Sequence, residues 1–312
     1  MIRILPLALL AALALGAAGC ASKPPPVEAA VPTRPMTEAE IDAVIEQAEL
    51  SIVTGRYDDA YVFAGRVLKS DPDHARANMV LSELALANGN FKEAITGFDK
   101  LAGTAEVKAR ALQGKGIALV RDGRLEDGRQ ALEQAVVLDQ SLPRAWNALA
   151  VYYDSKGQWT ESEASYRHAL ELEPNSALLR NNWGYSLLAQ QRYPEAETAF
   201  LEALKQQPEF AVARTNLRMA RAWQGKYREA SEDAEGPEQE PIILNNIGYV
   251  ALLRGDLAAA EAHFVRAMEA SPSFNETAWK NLKQVESLKK AGTTAGSSGN
   301  GAGQTAKPST TP

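Results

Sequence analysis

Residues 143–176 read PRAWNALAVYYDSKGQWTESEASYRHALELEPNS, and this stretch decides the fold. Trp146, Leu149, Ala150 and Tyr153 recur at three- and four-residue spacing, the period of one helix face. Gly157 then ends that helix, because glycine adopts a left-handed backbone at little cost. Trp159 opens a second helix, Tyr166 and Ala169 share its apolar face, and Pro174 closes the unit. The small Ser162 allows the two helices to approach closely where they cross. The spacing predicts a helical hairpin with one apolar side.

The same unit recurs on both sides of this stretch. Gly55, Gly89, Gly123 and Gly157 stand 34 residues apart, Gln191 takes the next place, and Gly225 and Gly255 follow. A bulky residue comes two positions later: Tyr57, Phe91, Leu125, Trp159, Tyr193, Tyr227 and Leu257. A small one comes three further on: Ala60, Ala94, Gly128, Ser162, Ala196, Ala230 and Ala260. The units are 41–74, 75–108, 109–142, 143–176, 177–210, 211–240 and 241–274. The sixth is irregular, since EDAEGPEQEP interrupts its second helix. Thr37 to Glu40 has the form of a capping box before the first helix. Residues 275–290 form an amphipathic helix through Ala278, Trp279, Leu282, Val285 and Leu288 that caps the far end.

Unit 143–176 resembles the tetratricopeptide repeat, with its pattern of Trp, Leu, Tyr, small residues and Pro. Units 177–210 and 241–274 match through Gly184, Ala196, Phe200 and Pro208, and through Gly248, Ala260, Phe264 and Pro272. The resemblance implies an all-α, right-handed superhelical solenoid of about seven hairpins over residues 37–290. It also implies a groove, lined by the first helices, that binds protein or peptide segments.

Composition agrees with helices and narrows the function. The chain has 312 residues, 45% of them hydrophobic and 7% aromatic, so a large core is available. A net charge of −6 argues against nucleic acid as a partner. The single cysteine excludes an intramolecular disulfide and a cysteine-rich metal site. His74, His168 and His263 fall at different repeat positions and do not converge, and Gly114-Lys115-Gly116 lies within a helix pattern rather than after a strand. No catalytic, cofactor or metal constellation is legible, and a non-enzymatic protein is expected.

The chain opens MIRILPLALLAALALGAAGC: one arginine, an apolar run too short for a membrane span, then small residues. Ala17-Ala18-Gly19-Cys20 resembles a bacterial lipobox, with Ala17 where Leu is usual. Residues 1–19 are then a lipoprotein signal peptide, and Cys20 carries the acyl chains that fix the protein to a membrane. Residues 20–36 hold five of the sixteen prolines and form an extended tether. No Asp follows Cys20, so an outer-membrane anchor facing the periplasm is expected. Residues 291–312, rich in Gly, Ser and Thr, lack large apolar side chains and are expected to be disordered.

Three rows of first-helix residues are candidates for the groove. Asn147, Asn181, Asn182, Asn216, Asn245 and Asn246 are amides able to pair with a peptide backbone, or asparagine is simply common at that position of the repeat. Tyr185, Met219 and Tyr249 extend an apolar row that also includes Ile117 and Val151, which pack between adjacent helices. Arg76, Arg110 and Arg144 stand in register near helix N-termini, where a cation is mildly unfavourable; an acidic partner and ordinary solubility both account for them.

Residues 178–197, LLRNNWGYSLLAQQRYPEAE, the interrupted unit after them, and residues 243–282, with the lipobox and tether, resemble the tetratricopeptide lipoproteins of tight-adherence (Tad, or Flp) pilus assembly, the TadD-like component. The resemblance implies an adaptor or pilotin-like factor under the outer membrane that helps the secretin or other pilus parts assemble. The alternative is a periplasmic scaffold that recruits other envelope proteins, such as peptidoglycan enzymes. An enzyme or small-molecule binder is the remaining class.

Overall fold

The computed structural model describes residues 36–232 and 239–298. The signal peptide, Cys20, the tether up to residue 35 and residues 299–312 lie outside the described residues. Those described hold fifteen α-helices and no strand. The first four hairpins are α1 (Glu38–Val53) with α2 (Tyr57–Ser70), α3 (Ala75–Ala87) with α4 (Phe91–Leu101), α5 (Lys108–Arg121) with α6 (Leu125–Leu138), and α7 (Pro143–Ser155) with α8 (Trp159–Leu172). Then follow α9 (Ala177–Ala189), α10 (Tyr193–Gln206), α11 (Ala211–Trp223), α12 (Tyr227–Ser231), α13 (Glu240–Leu253), α14 (Leu257–Glu269) and α15 (Glu276–Ser298).

Every second helix begins at the bulky residue that the repeat register marks, from Tyr57 to Leu257. The small residue three positions later is buried in each hairpin; Ala60, Ala94, Ser162, Ala196, Ala230 and Ala260 are wholly so. One turn on, Phe98, Leu132, Tyr166, Phe200 and Phe264 are the large side chains sealed between the helices. Burial of each contributes about 1.5–3 kcal/mol, which is why short helices of modest propensity hold together. The capping box at the start of α1 is formed in both directions: Glu40 N–H donates to the Thr37 hydroxyl, and the Glu40 carboxylate accepts from Thr37 N–H at 2.8 Å.

The contacts divide the chain into two units, one ending at Ser186 and the other beginning at Leu187, inside α9. The repeat register alone suggests one solenoid. Packing in a repeat of this kind is mainly between neighbouring hairpins. In the first unit α1 to α8 form four hairpins, with successive first helices packed on one another. In the second unit α11 packs on α10 and α13, and α14 packs on α13 and α15. The irregular sixth repeat keeps only five residues in its second helix, α12.

The last helix differs from expectation. It runs to Ser298, past Lys290 and into the segment expected to be disordered. Propagating a helix adds one hydrogen bond per residue without a new nucleus, so a helix fixed by Ala278 and Val285, both fully buried, can outrun its apolar face.

Gln191 has φ 62, the left-handed region that Gly157 occupies one repeat earlier at φ 68. The turn bonds are the same in both: Gln158 N–H to Tyr153 C=O and Arg192 N–H to Leu187 C=O, each 2.9 Å. The hydrogen bonds of the helix C-terminus therefore hold a non-glycine residue in a conformation that its Cβ disfavours. Gln191→Gly is expected to raise stability by about 0.5–1 kcal/mol, read as a higher denaturation midpoint. An unchanged or lower midpoint would show that Gln191 is not strained.

Candidate peptide-binding groove

In the first unit the three candidate arginines are bound internally. Arg76 meets Glu49 at 2.7 Å and Asp42 at 3.6 Å; Arg110 meets the same Glu49 at 3.3 Å; Arg144 meets Glu83 at 3.0 Å. Glu49 on α1 and Glu83 on α3 occupy one repeat position, and the arginine at position two of a later repeat reaches back to it. Burial pushes the Glu49 carboxyl up, but hydrogen bonds and charge from Arg76 and Arg110 outweigh it and hold it below its usual value. The charge of Glu83 raises the pKa of Arg144. Acids of the chain itself pair with these three arginines. The signal in the sequence was glutamate at position nine of the first two repeats, where later repeats carry Ile117 and Val151.

The asparagines divide by unit. Asn147, Asn181 and Asn182 are buried. Asn182 Nδ2 donates to Asn147 Oδ1 at 3.1 Å, and Asn181 Nδ2 to Asn182 Oδ1 at 3.3 Å. They join α7 to α9 instead of facing a ligand, because an amide inside a helix seam must be satisfied there. Tyr185 is half-buried, and burial raises its pKa. In the second unit Asn245 accepts from Asn281 Nδ2 at 3.0 Å and so ties α13 to α15. Asn216 is half-buried on α11, whereas Asn246 and Tyr249 are exposed on α13.

Met219 and Asn246 face one groove, of 330 Å³, between α11 and α13. Its floor is aliphatic, with Ala222, Ile243, Ile247 and Val250. Ile242 stands at its edge, 63% exposed. Thr215, Gln239 and Asn246 provide hydrogen-bonding groups, and among the described residues Arg218 is the charged one in the lining. The repeat positions found Met219 and Asn246 but missed Ile242 and Arg218. Ile242 follows Pro241 in the first turn of α13, where an apolar residue reads as ordinary helix start. A groove of this size takes a few side chains, at the lower end of the roughly 300–1,000 Å³ of small-molecule sites.

Two other polar clusters are structural. Asp154 is buried and accepts hydrogen bonds from Ser162, from Ser186 at 2.6 Å and from Tyr166 at 3.0 Å. Glu197 on α10 accepts from Arg221 at 3.0 Å and from Gln224 and Lys226 at 2.8 Å. The histidines have separate local tasks. His74 caps α3 through Ala77 N–H, His168 packs against Trp146 at 4.4 Å, and the His263 ring lies 2.8 Å from Ala259 C=O. Among the described residues no His, Cys, Asp and Glu group could hold a metal ion, and no helix is long and apolar enough to cross a membrane.

Part of the chain resembles known proteins. Residues 54–115 and 114–177 each match a model of the tetratricopeptide repeat. No curated protein sequence matches the chain. A thermophilic tetratricopeptide protein from Thermus thermophilus shares 22% identity at a TM-score of 0.52, over 58% of this chain and 98% of that one. A monomeric IFIT1 mutant, solved with m7Gppp-AAAA, shares 18% identity at a TM-score of 0.58, over 82% of this chain and 64% of that one. PilF of Pseudomonas aeruginosa shares 16% identity at a TM-score of 0.47, over 80% of this chain and 97% of that one. For the first two of these the likeness is one of fold. Residues 54–177 match models of a repeat suited to protein–protein interaction.

Proposed function

We propose that this tetratricopeptide-repeat protein is a non-enzymatic adaptor, lipid-anchored through Cys20 at the outer membrane and acting from the periplasm in tight-adherence pilus assembly. The observation that carries the adaptor reading is the α11–α13 groove, an open aliphatic trough with amide and hydroxyl groups. The pilus assignment is supported by the likeness of residues 178–197 and 243–282 to the lipoproteins of that system, and the anchor by the lipobox at Ala17 to Cys20. The partner in this reading is a segment of the secretin or of another pilus component.

Deletion and complementation test it. Deleting the gene is expected to abolish surface pili and reduce secretin multimers. The wild-type chain restores both, while Cys20→Ser is expected to leave the chain unacylated, by mass spectrometry, and out of the membrane fraction. Intact pili and multimers after deletion would remove the pilus reading. Recovery of peptidoglycan hydrolases with the protein, in place of pilus components, would favour the scaffold alternative.

A further inference from the structure

Helix α13 is buried on most sides, with Ile243, Leu244, Ile247 and Val250 turned into the fold, and is open along one line. Ile242, Asn246, Tyr249 and Leu253 are exposed, spaced four, three and four residues apart, which sets them on a single face. Three of these are large apolar side chains, with Ile242 63%, Tyr249 46% and Leu253 42% exposed. Helix α11 packs on α13 and carries Val212 and Met219 at the matching repeat positions, 39% and 37% exposed. The apolar surface is therefore two helices wide. It stops at α15, on the other side of α13, where the corresponding residues are Glu276 and Lys283.

We propose that this surface is the contact between two copies of the chain, related by a two-fold axis that lays α13 antiparallel on α13 of the second copy. Antiparallel pairing about the middle of the line sets Ile242 against Leu253 and Asn246 against Tyr249, and the axis makes each contact twice. Aliphatic side chains then meet at both ends. At the centre an amide meets a phenolic hydroxyl, and each group both donates and accepts hydrogen bonds. No residue of the line is charged, so it can be covered without stranding an ion. The same axis sets α11 on α11, apolar on apolar. It also sets α15 on α15, whose Lys280 and Lys283 are paired within that helix with Glu276 at 2.7 Å and Glu286 at 2.9 Å. A parallel pairing would instead set the apolar residues of α11 on the charged α15. Ile242 and Asn246 also border the α11–α13 groove, so a second copy and a partner segment compete for that edge.

Analytical ultracentrifugation over a range of concentrations tests this on the mature chain carrying Cys20→Ser, which removes the acylation site and the one native thiol. A mass of two chains, falling to one on dilution, is expected. Ile242→Asp is expected to weaken the dimer more than about a hundredfold, because it places a carboxylate against Leu253 at both ends. Ile242 is largely exposed, so that change spares the fold. Tyr249→Phe removes two symmetric hydrogen bonds and is expected to weaken the dimer about thirtyfold. Disulfide formation reads the register: Ile242→Cys and Leu253→Cys in one chain should give a crosslinked dimer on oxidation, and either change alone should not. A chain that stays monomeric at every concentration, or a dimer untouched by Ile242→Asp, overturns the proposal. Crosslinking through Ile242→Cys alone overturns the antiparallel pairing. None of these outcomes depends on the pilus reading.

Discussion

Gly128→Ala is expected to lower the thermal midpoint by several degrees, and Gly65→Ala to raise it. Both glycines lie inside second helices, where alanine is favoured over glycine by about 1 kcal/mol. At Gly65, on α2, an added Cβ meets nothing within 4 Å, so that gain is realised. At Gly128 it would come within 2.6 Å of Val120 Cγ2 and 3.0 Å of both Gly116 O and Val120 N. Two of those three atoms are backbone and cannot rotate away. Gly116 meets the reciprocal obstacle, with Leu132 Cγ at 2.6 Å and Gly128 O at 3.0 Å. Helices α5 and α6 therefore touch through their backbones, and alanine at either glycine must push them apart. Overpacking of this kind costs about 1–3 kcal/mol, more than the helix gains. The loss spreads to adjacent hairpins, since each repeat is stabilised by its neighbours. A Gly128→Ala midpoint at or above that of the parent chain would show that the two helices do not cross so closely.

Acid is expected to act in opposite directions on two buried carboxylates. Desolvation pushes the Asp154 pKa above 3.8; hydrogen bonds from Ser162, Ser186 and Tyr166 pull it back only in part. A raised folded value favours the protonated form in the fold. Its contribution is complete below 3.8 and is lost as pH rises through the folded value. Desolvation also pushes Glu197 up, but hydrogen bonds from Lys226, Gln224 and Arg221 outweigh it and leave the value below 4.5. Its contribution is complete above 4.5 and is lost as pH falls through the folded value.

Asp154→Asn should thus leave the protein at least as stable at neutral pH, because a neutral amide fills the site without a buried charge. The part of the pH profile above 3.8 should flatten. Glu197→Gln leaves Arg221 and Lys226 facing an amide and is expected to cost about 2–3 kcal/mol at neutral pH. That cost should shrink on acidification. Denaturation midpoints across pH for the parent chain and both variants decide the matter. A Glu197→Gln chain as stable as the parent at neutral pH, or an Asp154→Asn chain clearly weaker there, would sink the respective claim.

Much of this fold was legible because its determinants are local. The place of each turn follows from Gly55, Gly89, Gly123, Gly157, Gly225 and Gly255, all with positive φ, and even Gln191 adopts the conformation its register position requires. The small residues at the helix crossings and the aromatic side chains one turn later act within a single hairpin. The interruption in the sixth unit also showed itself, as the short α12. The candidate site was legible only in part. Met219 and Asn246 line the groove, whereas Asn147, Asn181 and Asn182 are consumed in a helix seam and Arg76, Arg110 and Arg144 in ion pairs.

The division has a physical cause. A repeat spacing records which side chains face inward within one hairpin, a matter of helix period and of contacts a few residues apart. It carries no record of how far a long side chain reaches across the stack. Arg110 meets Glu49, and Arg144 meets Glu83, each across 61 residues of sequence. Those pairings depend on the rotation between successive hairpins, which arises only when their surfaces pack. The linear chain was sufficient for the hairpins, their boundaries and the small residues that let them close. Packing alone determined which charges were already neutralised, which amides were already paired, and where an aliphatic groove forms between α11 and α13.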